Sequence, residues 1–211
     1  MAQGTANAAL PAVVVWDFDN QTPGAVPGAG ASDFLRRSLA ENLTASLLQV
    51  AGLPVVERQR MKDLLAEQKV SASELSDEDA RVRLGRIVGA GRMVFGGFFV
   101  LGDQVQVHVR VVDTASSRVL FSDETTTAVA SVMQQVEPLN RRLSRALGAG
   151  ATQGLSFAAA SWQAYDEALA LADAGRLDDA VQALQALLNK DKGFVPAERQ
   201  LVALLDKLSR R

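Results

Sequence analysis

The chain has 211 residues, with 22 Lys and Arg against 24 Asp and Glu, a net charge of −2, 48% apolar residues, one His and no Cys. That length holds one ordinary domain and a smaller one, and the composition is globular. It excludes disulfides, thiolate metal sites and thiol catalysis, leaves little for imidazole chemistry, and offers no net-charge case for nucleic acid or an anionic membrane; no apolar run reaches the roughly 18 to 20 residues of a spanning helix.

The start, MAQGTANAALPA, lacks the charged and apolar regions of a signal peptide. Its small, polar residues resemble the mature end left after such a peptide is removed, a cytoplasmic N-terminus being the alternative, and residues 1–11 are read as flexible. AVVVWDF, residues 12–18, is apolar without alternation, which predicts a strand covered on both faces. It runs into Asp17, Asp19 and Asn20. An Asp-x-Asp pair after a strand resembles the nucleophile loop of haloacid-dehalogenase-type phosphatases, whose first carboxylate attacks phosphorus. That pattern wants Thr or Val four residues after the first Asp, where Gln21 stands and Thr22 comes one late. It also wants a second acidic pair for Mg²⁺, and the adjacent aspartates Asp178 and Asp179 fall in a helical repeat. The plainer reading is a strand end, because Asp and Asn bond their own backbone and favour turns.

The Gly- and Pro-rich loop QTPGAVPGAGA leads to Ser32, expected as a helix N-cap with Asp33 in the first turn. Leu35, Leu39, Leu43, Leu47 and Val50 then recur at helical spacing until Gly52 and Pro54. Residues 54–57 predict a short strand, and ERQRMKDLLAEQ a helix with Met61, Leu64 and Leu65 on one face. After VSASEL, Ser76 with Asp79 reads as a capping box for a helix with the stripe Ala80, Leu84, Ile87 and Val88. RMVFGGFFVL, the turn Gly102-Asp103 and the alternating QVQVHVRVV predict a hairpin. Val105, Val107, Val109 and Val111 share one face; Gln104, Gln106, His108 and Arg110 share the other, so His108 is read as a surface or helix-covered histidine. Gly96-Gly97 marks a bulge or a close helix approach, since no Lys-Ser/Thr follows to make a phosphate loop. RVLFSDETTT adds a third strand, a helix over about residues 130–147 bends near Pro138, and residues 148–155 read as a linker.

Several of these segments resemble the CsgG/TolB-amino-terminal type of bacterial envelope domain. VVVWDFDN is similar to that group's first strand, ending in an aromatic-x-Asn turn at Phe18-Asp19-Asn20. VVERQRMKDLLAEQ resembles the curli-secretion-type entry into a Glu-Arg-Gln-x-x-x-x-Leu-Leu helix, matched by Glu57, Arg58, Gln59, Leu64 and Leu65. LGRIVGAGRMVFGGFF and VRVVDTASSRVLFSDET resemble the family's helix-to-strand junction and hairpin, so the likeness covers about residues 12–128. The resemblance implies a non-enzymatic, periplasmic or outer-membrane-associated assembly module that binds other envelope proteins. It does not imply a pore, because the two sites where the secretion channel carries membrane-crossing hairpins are here a Gly-Asp turn and a stretch leading straight into a helix. Homo-oligomerisation, and peripheral membrane association through a removed N-terminal segment, are expectations of the likeness alone.

Residues 157–211 resemble a tetratricopeptide repeat: Tyr165, Ala168 and Leu169 on one helix, the turn Ala174-Gly175-Arg176, then Leu177, Ala180, Leu184 and Leu187 on the next. FVPAERQLVALLDKL adds a third helix with Val202, Leu205 and Leu208 expected inward. About three repeats are needed to enclose a core, so this unit is expected to dock on the first domain or on another subunit. The expected fold is therefore α/β: a mixed sheet of about five strands, two parallel plus an antiparallel meander, flanked by helices over residues 12–147, with a C-terminal all-α, repeat-like segment of three helices over residues 156–211.

No catalytic, cofactor or metal residue is assigned, and nucleic acid is not an expected partner. The candidate interaction residues are Asp19, Asn20, Arg58 and Arg60 at the carboxyl edge of the sheet, with Trp162 and Tyr165 on the helical segment, where packing within the helix pair is the competing role. The alternative function is ligand or nucleotide sensing at that edge, where Asp17, Asp19, Asn20, Glu57, Arg58 and Arg60 are expected to gather. Mutual ion pairing competes with it.

Overall fold

The computed structural model describes residues 10–26, 29–67, 77–150, 152 and 154–210. Val13–Val15 form β1 and Asp19–Asn20 form β2; a short 3-10 turn at Ala29–Ser32 precedes α1 (Leu35–Leu48), β3 (Val55–Val56), α2 (Arg58–Glu67) and α3 (Glu78–Ile87). The meander is β4 (Arg92–Leu101), β5 (Gln104–Asp113) and β6 (Val119–Ala128). Then follow α4 (Val132–Gln135), α5 (Glu137–Ala146), α6 (Ala159–Asp173), α7 (Leu177–Lys190) and α8 (Val195–Ser209). The strands lie in the order β3-β1-β4-β5-β6, with β2 pairing β4 off that path. β1 is parallel to β3 and β4, and β4, β5 and β6 are antiparallel. The fold is α/β with a mixed sheet, flanking helices and a C-terminal helical segment.

Successive side chains of a strand point to opposite faces, and each face here has its own cover. Val13, Val94, Phe98 and the four valines of β5 from Val105 to Val111 enter a large core with α1, α4 and α5. Val14, Met93, Phe95 and Val112 enter a smaller one with Met61 of α2 and Val82 and Leu84 of α3. β1 is thus covered on both sides, as its unalternating run requires. Gly102 takes φ +62° as the first residue of the two-residue turn between β4 and β5, a conformation glycine adopts without a Cβ penalty.

Four local expectations are corrected. Ser32 is not the cap of α1: it is buried in the 3-10 turn, Phe34 takes the cap position, and Asp33 instead accepts from Asn20 Nδ2 at 2.9 Å. The cap of α3 is Asp77, whose carboxylate accepts from the N–H groups of Asp79 and Ala80; Ser76 lies outside the described residues. The stripe of α3 that packs is Val82, Leu84 and Gly85, and Ile87 is 62% exposed. Residues 129–146 make no single bent helix: Pro138 sits in the first turn of α5, where its missing N–H costs nothing, and α4 ends before it.

The turn at Gly175, φ +79°, folds α7 back onto α6, and α8 packs on α7. Leu177, Ala180, Leu184 and Leu187 are buried as their spacing implies. In α8 the inward residues are Pro196, Ala197 and Leu204, while Val202 is 67% and Leu205 47% exposed, which corrects the expected stripe. The segment docks on the first domain: α6 and α8 both pack against α1, and one continuous core runs from Val13 to Leu204. Polar groups at this seam are matched. Ser38 Oγ donates to the Trp162 carbonyl at 3.3 Å, Arg37 pairs with Asp166 at 2.5 Å and with Asp173 at 3.2 Å, and Arg199 reaches Glu57 at 2.7 Å.

Candidate functional site

At the carboxyl end of β1 the backbone leaves the sheet at Trp16, whose N–H bonds the Val94 carbonyl, and rejoins it at Asp19 and Asn20, opposite Gly97 and Phe98 of β4. The detour sends neighbouring carboxylates to different partners. Asp19 meets Arg81 of α3 at 3.1 Å, and that guanidinium also lies 5.7 Å from the Trp16 ring centroid. Asn20 donates to Asp33 and accepts from the N–H of Thr22, which closes a turn by the side chain, as the short amide allows. Asp17 instead faces a cleft of about 390 Å³ that it lines with Asp33, Phe34, Arg36, Arg37, Asp166 and Asp173.

On the face of the sheet away from the large core, the His108 ring lies over Gly97: a Cβ there would come within 2.6 Å of His108 Cε1 and 3.0 Å of Gln21 Nε2. His108 stands in register between Gly97 and Glu124. Burial, then the nearby Arg110 guanidinium, push its imidazole below the ordinary value of 6.5, with Glu124 and Asp19 pulling the other way. Arg110 is itself held by Glu78 of α3 and lies 5.8 Å from the Phe95 ring centroid. The region is a lattice of charge pairs and stacked guanidiniums. Among the described residues no group of His, Asp or Glu is arranged to hold a metal ion.

The six candidate interaction residues are not brought together. Asp19 and Asn20 occupy the β2 rim with the partners above. Arg60 is exposed on α2, and the side chain of Arg58 lies outside the described residues, as do those of Gln59 and Leu64. Glu57 pairs with Arg199 of α8. Trp162 and Tyr165 are 0% and 2% exposed. Their surroundings are internal, an aromatic cluster in which Trp162 and Phe157 each lie 4.7 Å from the Phe194 centroid and Tyr165 lies 5.5 Å from it. With its rings enclosed in this way Trp162 takes the packing role that competed with peptide contact, and Tyr165 is buried beside it. The sequence reading missed Arg81 and Arg37. Asp19 and Arg81 are 62 residues apart, Arg37 and Asp166 129 apart, and no local pattern links either pair.

Residues 1–102 match the family model described as curli production assembly/transport component CsgG. No curated protein matches the chain. Among solved structures, the LpoB C-terminal domain from Salmonella enterica is similar at 16% identity and TM-score 0.41, covering 59% of this chain and 87% of that one. Lipoprotein GNA1162 from Neisseria meningitidis is similar at 16% identity and TM-score 0.43, covering 64% and 96%. TolB from Acinetobacter baumannii is similar at 10% identity and TM-score 0.43, covering 65% of this chain and 28% of its own.

Proposed function

We propose that this chain, whose first 102 residues match the CsgG family model, is a non-enzymatic assembly module of the bacterial envelope that works by binding other envelope proteins. The family match carries the reading. The form of the meander supports a module that is not a pore: Gly102 and Asp103 alone join β4 to β5, and β6 passes directly into a 3-10 turn at Val129–Ser131. Among the described residues β6 is also the edge strand of the sheet beyond β5, and such an edge is a template for pairing with another chain. A photo-cross-linker placed at Gln106 or Thr126, exposed on adjacent strands in register, is expected to capture a discrete envelope protein in intact cells. Background capture alone, together with Mg²⁺-dependent hydrolysis of a phosphate ester that Asp17→Asn abolishes, would replace this reading with an enzymatic one.

The cleft beside Asp17 favours ligand or nucleotide sensing as the second reading, since it lies at the carboxyl edge of a parallel strand pair and includes Arg36. Calorimetry with ATP separates the two: heat of binding lost in Arg36→Ala selects sensing, and no heat leaves the assembly module.

A further inference from the structure

The amino end of β1 opens onto a corner of the molecule built from segments distant in sequence. The Arg92 N–H donates to the Ala12 carbonyl, that of Asp113 to Arg118, and that of Thr114 to Gly91. From the end of α3, the Arg86 guanidinium donates to the Thr114 carbonyl, to the Ala115 carbonyl at 3.5 Å and to Ser117 Oγ at 3.1 Å. From the other face, Arg92 Nη1 donates at 2.7 Å to the Leu147 carbonyl, two residues past Arg145, and Gly148 lies against the Leu10 side chain.

The segments that meet here, residues 10–13, 86–92, 113–118 and 145–148, carry four arginines, 86, 92, 118 and 145, and one carboxylate, Asp113, a charge of +3 on those segments in a chain of net −2. Asp113 is engaged by the N–H and hydroxyl of Ser116. Carbonyl and hydroxyl acceptors fix the guanidiniums of Arg86 and Arg92 in place but cancel none of their charge. Arg118 and Arg145 are exposed and make no ion pair among the described residues. Large apolar side chains are interleaved with them: Ile87 follows Arg86 and is 62% exposed, while Val119 and Leu120 follow Arg118 and are 55% and 47% exposed.

Guanidiniums flanked by exposed apolar side chains suit an interface where phosphate lies beside hydrocarbon. A second copy of the same corner is disfavoured, because like charges would be brought together. We propose that this corner is a peripheral docking surface for an anionic lipid bilayer, with the guanidiniums on headgroup phosphates and Ile87, Val119 and Leu120 at the headgroup–acyl boundary. The carboxyl edge of β1, with the Asp17 cleft, then faces away from the membrane. The whole-chain charge hides this because the compensating carboxylates lie elsewhere on the molecule.

Co-sedimentation of the full chain with vesicles tests it. Phosphatidylcholine vesicles containing one-third phosphatidylglycerol are expected to bind the chain in a salt-sensitive way, and pure phosphatidylcholine vesicles are not. Arg118→Ala/Arg145→Ala is expected to lower partitioning roughly 25-fold, about fivefold per arginine, with an unchanged circular dichroism spectrum. Arg176→Ala/Arg210→Ala, an equal loss of charge on the helical segment, leaves it unchanged. A Leu120→Trp variant gives a blue-shifted emission with the anionic vesicles only. Equal binding to both vesicle types, an equal loss in the control pair, or binding to soluble polyphosphate without binding to vesicles overturns the proposal. None of these outcomes bears on the assembly reading, which is tested by cross-linking from Gln106 and Thr126.

Discussion

Gly96 and Gly97 show how much one missing Cβ decides. A Cβ at Gly96 would stand 2.2 Å from Cε1 of Phe18, whose ring is 3% exposed and enclosed by the large core. Gly96→Ala is therefore expected to destabilise the protein by about 1 to 3 kcal/mol, read as a lower urea midpoint at unchanged slope. The glycine pair was legible as a close approach. The approaching groups were not, since they are the Phe18 and His108 rings rather than a helix. His108 supports a second expectation. Its folded value is lowered, so the unfolded chain binds the proton more readily, and stability present above pH 6.5 is lost as pH falls through the folded value. Urea midpoints are expected to drop across that interval, and the part of the drop absent from His108→Asn belongs to this ring.

Among the elements, α1 is the piece on which the others converge. Its stripe of leucines was legible from spacing because every turn repeats the same choice of face. Its polar face was not, because Asn42 is 1% exposed and its partners come from elsewhere in the chain: Asn140 Nδ2 donates to Asn42 Oδ1 at 2.8 Å, and Asn42 Nδ2 donates to the Leu155 carbonyl at 3.5 Å. Asn42→Leu leaves the Asn140 amide buried without its acceptor and is expected to cost about 1 to 3 kcal/mol. In Asn42→Leu/Asn140→Leu the loss is expected to be smaller than the sum of the two single losses, a coupling that a double-mutant cycle in urea reads directly. Helix α8 gives the opposite case. Leu201, Leu204 and Leu208 form one apolar stripe and Val202 and Leu205 a second; periodicity alone cannot rank them, and only the surface offered by α7 and α1 selects Leu204 for burial.

For the molecule as a whole, the seam between α1 and the helical segment governs how it unfolds. Trp162, Tyr165 and Leu169 share a core with Leu35, Leu39 and Leu43, and Thr152, inside the glycine-rich stretch that joins the two parts, is itself 5% exposed. A shared core removes the independence that a flexible joint would confer. Calorimetry is therefore expected to show one transition with equal calorimetric and van't Hoff enthalpies, where a loosely tethered segment would give two.

Unalternating and alternating runs, leucines at helical spacing and the Gly102-Asp103 turn determined β1, the β4–β6 meander, most of the helices and the α/β class from the sequence, because each of those signals is local: it depends on which neighbours along the chain share a face. Tertiary structure alone decided that Asp19 goes to Arg81 and Arg37 to Asp166, that Trp162 is enclosed, and that the segments carrying four arginines meet at one corner. Those outcomes depend on which segments are folded against one another, and charge or hydrogen-bonding capacity read along a chain carries no record of the partner that folding will bring.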